Sequence, residues 1–390
     1  MTAAVHPAQV TNLARLLTHT ARLFPEHTAL IQGEQRWTWA QIEARVDALV
    51  AALQALGLKK GDRILLQSRN NLALFESGWA AFRMGCVWVP TNFRLTPGEV
   101  AYLGESSGAV LMLVEPLFAE HAAALRAASN ALRQVVWIGG DSPTHAATHA
   151  ATPSDLSYEA LVQQHLGAAT AEVTVAHDDP LWFFYTSGTT GKPKAAILTH
   201  GQMAFVVTNH LADLIPGTDE RDCSIAIAPL SHGAGIHALL NVARGAATVL
   251  LPTEKLAPET VWQLIEQHRV SNLFTVPTIV KMLVEHPAVD QYDHSSLRFM
   301  VYAGAPMYRA DQRLALQKLG PVLVQYFGLG EVTGCITVLP AHMHSADDAD
   351  PNANIGACGK PRTGMEVAVL DKDLRAVPTG EVGEIGRAHV

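Results

Sequence analysis

Residues 186–194 read TSGTTGKPK, inside the longer stretch FFYTSGTTGKPKAAILTH. These nine positions hold two glycines, four hydroxyls and two lysines around one proline. Gly188 and Gly191 let the backbone take positive φ and come close to a ligand. Successive N–H groups in such a turn form an anion-binding nest. Thr186, Ser187, Thr189 and Thr190 add hydroxyl donors, and Lys192 and Lys194 add positive charge. Pro193 prevents the loop from running on as a helix. Together these groups make a clasp for a polyphosphate, in which a charge-assisted hydrogen bond contributes roughly 1.5–3 kcal/mol. The loop is not a Walker A motif, because Thr186 stands where that pattern has its first glycine and Pro193 follows the lysine. No GxGxxG follows a strand either, so a dinucleotide fingerprint is absent.

Alternating elements surround the loop. TWAQIEARVDALVAALQALG places Ile42, Val46, Leu49, Val50, Leu53 and Leu56 at helical spacing and predicts a stop at Gly57. DRILLQS reads as a buried strand, LALFESGWAAFRMGC as a helix, VWVP as a strand, and TPGEVAYLGESSG as a helix capped by Thr96 with Pro97 in its first turn. After the loop the same rhythm runs from CSIAIAPL to LRFMVYAGAP. Strands that alternate with helices predict mainly parallel α/β sheets. THAATHAATPSD (144–155) reads as a surface connection. From Gly356 onward, short segments with Gly/Pro turns predict a β-rich piece. The expected fold is α/β: two packed α/β subdomains, about 1–180 and 181–325, plus the start of a small C-terminal β-barrel-like subdomain at 326–390.

Composition narrows the function. The chain has 390 residues, 48% hydrophobic and 16% charged, with a formal net charge of −8. That excludes a disordered chain and argues against a nucleic-acid-binding surface. No run of eighteen apolar residues predicts a membrane helix, and the N-terminus lacks the apolar centre of a signal peptide. Four scattered cysteines suggest reduced thiols and a cytoplasmic protein. The eighteen histidines form no metal-binding motif. A homodimer is one oligomeric state left open.

The loop closely resembles the phosphate loop of the adenylate-forming superfamily, which includes acyl-CoA synthetases, luciferase and peptide-synthetase adenylation domains. The resemblance extends to RWTWAQIEARVDALVAALQALGLKKGDRILLQSRNN, PLSHGAG (229–235), YAGAPM (302–307), QYFGLGEVTG (325–334) and IGACGKPRTGMEVAVLD (355–371). It departs at Ala195, where the family usually has glycine, and at Gly330, where it commonly has a threonine whose hydroxyl contacts the α-phosphate. Losing that bond costs roughly 1.5–3 kcal/mol unless a water or nearby Thr333 compensates.

The resemblance implies the following roles. The chain activates a carboxylic acid with ATP and Mg²⁺, and coenzyme A then takes the acyl group. Lys194, Glu331 and His232 are the candidate catalytic residues. Thr186, Ser187, Gly188, Thr189, Thr190, Gly191 and Lys192 hold the phosphates. Ala303, Gly304 and Ala305 form one wall for adenine; Gln325, Tyr326, Phe327 and Gly328 form the other. Glu331 is the Mg²⁺ ligand. His232, Gly233, Ala234 and Gly235 border the acid, and their small side chains favour a fatty or sizeable aryl acid over acetate. PLSHGAGIH has no acidic residue to hold an α-amino group. Family chains continue through a ribose-binding aspartate, a hinge and a lysine used in adenylation, so the small C-terminal domain is expected to be absent here and full turnover weak. Alternatives are a stand-alone acyl-AMP ligase, a peptide-synthetase-type adenylation domain, and a non-catalytic adenylate-binding protein.

Overall fold

Thr38, Asn71 and Thr96 each accept a backbone N–H three residues on, and a helix begins after each. Thr38 and Thr96 complete capping boxes with Gln41 and Glu99. Gly85 and Gly108 end two of these helices in the left-handed region. The computed structural model describes residues 9–139, 156–186, 191–253, 255–350 and 353–389. Ser187, Gly188, Thr189, Thr190 and the 144–155 connection lie outside them. The chain divides into two units, residues 1–205 with 219–256 and residues 206–218 with 257–390.

In the first unit the early strands are β1 (Gln9–Val10), β2 (Thr28–Gln32), β3 (Gln35–Thr38), β4 (Arg63–Gln67), β5 (Val87–Pro90) and β6 (Leu111–Val114). They are followed by β7 (Gln134–Trp137), β8 (Leu156–Ser157), β9 (Val175–Ala176), β10 (Pro180–Thr186), β11 (Lys194–Thr199), β12 (Cys223–Ala226) and β13 (Ala247–Leu250). Its helices include α1 (Arg15–Leu23), α2 (Trp39–Ala55), α3 (Leu72–Met84), α4 (Pro97–Ser107), α5 (Ala119–Ala128) and α6 (Tyr158–Gln164). Helix α7 (His200–Asp213) carries the boundary at residue 205, and α8 (Gly233–Arg244) returns to this unit.

One sheet runs in the order β11-β10-β5-β4-β6-β7-β8. It is parallel except where β11 turns back antiparallel to β10. Its α4/α5 face is filled by Leu65, Val89, Leu103, Met112, Val114 and Leu125, all buried. A second set joins β12, β13 and β2 in parallel and adds β3 antiparallel.

The second unit holds α9 (Pro258–His268), β14 (Asn272–Thr275), α10 (Pro277–Glu285), β15 (Phe299–Tyr302), α11 (Arg309–Leu319) and β16 (Leu323–Phe327). Strands β14, β15 and β16 are parallel neighbours. Strands β17 (Thr337–Leu339) and β18 (Lys360–Pro361) extend them antiparallel. A separate antiparallel pair, β19 (Met365–Leu370) with β20 (Glu384–His389), forms the β-rich end. The expected barrel-like piece is thus a two-stranded hairpin among the described residues.

Candidate active site

Strand β10 points its side chains alternately to two faces, as the strand period requires. Phe183 and Tyr185 pack on the α4/α5 core. On the other face Trp182 meets Trp88, with ring centres 4.7 Å apart, and Phe184 follows at 5.6 Å. Thr186 ends the strand and pairs with Lys194, so the glycine-rich segment is the connection of a hairpin. Gly191 sits at φ +84°, a conformation glycine takes at little cost. Lys192 and Lys194 are both exposed.

His232 stands on the same side of the sheet as Phe184, its ring edge-on at 5.4 Å. It immediately precedes α8. The segment before it is held by Asn70, whose amide donates to the Ala228 carbonyl at 2.9 Å and accepts the Leu230 N–H at 2.9 Å. Ser231 Oγ lies 2.9 Å from His232 Nδ1. Burial lowers the His232 pKa, so the imidazole is neutral at pH 7. In the tautomer where the Ser231 hydroxyl donates to Nδ1, the proton sits on Nε2 and can be donated to an anion.

The three small residues after His232 do not simply leave room. A Cβ on Gly235 would sit 2.0 Å from the Leu230 carbonyl oxygen and 2.8 Å from the Trp182 ring. Gly235 is therefore small because backbone and indole occupy that space, and Ala234 is buried. Of the three, only Gly233 is partly exposed. Their size is not in itself a measure of the acid.

In the second unit, Tyr302 on β15 lies opposite Gln325 on β16. The carboxyl ends of these parallel neighbours release residues 303–305 and 328–331 at one edge, the place where open α/β sheets bind ligands. Gly304 takes φ +87° and, with Ala305, is exposed, whereas Ala303 is buried. The Tyr302 hydroxyl donates to Gln325 Oε1 at 3.0 Å and lies 3.2 Å from His344 Nε2. That contact uses the Gln325 carbonyl oxygen and leaves the amide nitrogen as its donor. Phe327 shares the Gln325 face of β16 and is half-buried.

The Tyr326 ring does not join them. It points to the opposite face, is buried, and stacks on Phe274 at 5.7 Å. Its side chain packs the interior instead of presenting a ring to a base. Gly328 is forced by sterics, since a Cβ there would lie 1.5 Å from the Gly334 carbonyl oxygen. One 3₁₀ turn, Gly330–Val332, then carries Glu331 to the surface. Thr333 follows at φ +62°, buried, with its hydroxyl donating to the Val332 carbonyl at 2.5 Å. That hydroxyl is committed to the backbone and does not stand in for the one Gly330 lacks.

A family model described as AMP-binding enzyme matches residues 17–386. The chain belongs to this family. Within the adenylate-forming superfamily it is of the acyl-CoA synthetase type. It is 33% identical over 370 residues to a feruloyl-CoA synthase of Amycolatopsis sp, covering 94% of this chain and 67% of that protein. It is 28% identical to the medium/long-chain-fatty-acid–CoA ligase FadD8 of Mycobacterium tuberculosis, covering 96% of this chain and 63% of that one. The chain thus spans about two thirds of the length of these relatives. The anthranilate CoA ligase AuaEII, solved with anthranoyl-AMP, shares the fold at TM-score 0.86 and 22% identity, over all of this chain and 70% of that one. The sequence reading gave no role to Asn70, which holds the segment before His232, or to Tyr302, whose hydroxyl donates to Gln325. Asn70 lies in the quoted SRNN segment, yet no spacing ties it to Ala228.

Proposed function

We propose that this chain activates a hydrophobic carboxylic acid with ATP and passes the acyl group to coenzyme A. In the first step a carboxylate oxygen attacks the α-phosphorus and pyrophosphate leaves. In the second the thiol sulfur attacks the acyl carbon, AMP leaves, and the thiol proton is released. The observation that carries this reading is local to the first unit. Strand β10 brings Phe184 under neutral His232 and, two residues on, delivers Thr186 to the glycine-rich loop. Phe184, which His232 contacts, and Thr186, where the loop begins, therefore lie two residues apart on one face of one strand, roughly 7 Å.

In this proposal Lys194 and Lys192 offset phosphate charge, and His232 Nε2–H orients the acid. Gln325 reads the adenine edge, Phe327 stacks on the ring, and residues 303–305 let the backbone approach it. Preorganised donors of this kind stabilise charge as it develops on the α-phosphoryl group. Glu331 is an exposed carboxylate, which fits Mg²⁺, a cation that takes one or two protein carboxylates and completes its shell with phosphates and water. When bound, Mg²⁺ neutralises phosphate charge.

The aromatic wall of Trp182 and Phe184 near His232 supports an acid with an aryl or long acyl body. The relatives named for feruloyl and medium/long-chain fatty acids support the same class. Three of the four cysteines are buried free thiols, which supports a cytoplasmic setting, and no described helix is long and apolar enough to cross a membrane. Calorimetric titration with AMP, alone and with a saturating acid, tests the reading. Mutual tightening of AMP and an aryl or acyl acid is expected, and lost in His232→Ala. AMP binding that ignores every acid would instead identify a non-catalytic adenylate-binding protein.

A further inference from the structure

We propose that helix α4 is a dock for the lysine end of the phosphate loop, with Tyr102 a positioning residue for nucleotide binding; this rests on the function proposed above. Lys192 Nζ lies 5.3 Å from the centre of the Tyr102 ring. The Tyr102 hydroxyl donates to the Pro193 carbonyl at 3.3 Å. On the incoming strand, the Tyr185 hydroxyl lies 2.6 Å from Ser106 Oγ and donates to the Leu103 carbonyl at 3.2 Å. One turn of α4 therefore ties down both the strand that enters the loop and the corner that leaves it.

Helix α4 is built to stay still. Thr96 and Glu99 cap its start. At its end the Arg63 guanidinium donates to the Ser107 carbonyl at 2.8 Å and the Gly108 carbonyl at 2.7 Å. In between, Gly104 lets Leu125 of α5 close in, since a Cβ would sit 2.3 Å from its methyl group. A contact with this helix thus fixes the loop corner in space.

The kind of contact matters. An aromatic face attracts the ammonium without neutralising it, so the charge of Lys192 stays available to phosphate oxygens. A lysine held in place before the nucleotide arrives loses less rotamer freedom on binding. A cation–π contact at an exposed site is worth about 2- to 5-fold in affinity, and the added hydrogen bond raises the total to about tenfold.

The test measures MgATP affinity by calorimetry in wild type, Tyr102→Leu, Tyr102→Phe, Lys192→Met and the two double variants. Lys192 acetylation by an amine-reactive ester, read by mass spectrometry without nucleotide, reports the dock itself. Tyr102→Leu is expected to weaken MgATP about tenfold, and Tyr102→Phe, which keeps the ring, about threefold. In the Lys192→Met background the gap between the two should close. Lys192 labelling should rise in Tyr102→Leu and stay at the wild-type level in Tyr102→Phe. A melting temperature that falls with MgATP affinity unchanged would show a purely structural role and overturn the proposal. Tighter MgATP binding by Tyr102→Leu would overturn it too, by showing that the ring draws Lys192 away from the nucleotide. Wild-type protein that binds no MgATP would sink the proposed function and, with it, the nucleotide role of Tyr102. The labelling result would still decide whether Tyr102 holds Lys192.

Discussion

Gly330→Thr should improve nucleotide binding, an uncommon direction for a substitution in a functional loop. Gly330 opens the 3₁₀ turn that carries Glu331 and is not among the positive-φ glycines, so an L side chain meets no backbone penalty. It is partly exposed. The neighbouring Thr333 hydroxyl is occupied by the Val332 carbonyl. A new hydroxyl donating to the α-phosphate adds about 1.5–3 kcal/mol, the worth of a hydrogen bond to a charged group. Ordering the threonine side chain costs about 0.5 kcal/mol. The net of roughly 1–2.5 kcal/mol predicts AMP binding about 5- to 70-fold tighter. Calorimetry with AMP measures it, and adenosine, which lacks the phosphate, should gain nothing. Unchanged AMP affinity in a variant that melts like wild type would refute the placement of position 330 at the α-phosphate.

Other perturbations probe separate parts of the account. Tyr302→Phe removes the hydroxyl that orients Gln325, and AMP affinity should fall by about 1 kcal/mol, roughly fivefold, with little change for pyrophosphate. Gly235→Ala must push the start of α8 away from the Leu230 carbonyl, costing about 1–3 kcal/mol in urea unfolding and weakening acid binding with it. His200, buried and accepting the Leu13 N–H at 3.1 Å, has its pKa lowered by burial to about 4. Its neutral form is favoured in the fold, so its contribution is complete above pH 6.5 and is lost as pH falls from there towards 4. Urea melts across that window should lose about 3 kcal/mol from this group, and His200→Gln should flatten that part of the profile.

Much of this architecture can be read from residue types. Thr38, Asn71, Thr96 and Pro97 mark helix starts because capping is local chemistry. The loop at 186–194 proposes an anion ligand from residue types alone, because anion nests need glycine and donors in sequence. What escapes is set by partners far along the chain. Tyr102 and Pro193 are 91 residues apart and meet because β10 lays Phe183 and Tyr185 on the α4/α5 core. Tyr326 reads as part of a ligand motif, yet the two-residue period of β16 turns it inward beside Phe274. Gly235 suggests an open pocket until the fold shows that Trp182 and the Leu230 carbonyl fill the space. A small residue reports a close approach or a void, and only the neighbours decide which.

The central claim of the proposed function is that this chain binds an acyl-adenylate, with His232 meeting its acyl end. Its most direct test is a calorimetric titration with non-hydrolysable acyl-adenylate mimics, from acetyl through medium and long acyl to aryl. The account predicts saturable binding graded by the acyl group, with the bulky hydrophobic members tighter than acetyl and all weakened by His232→Ala. Equal affinity for every mimic and for AMP alone, or no binding by any, would contradict it.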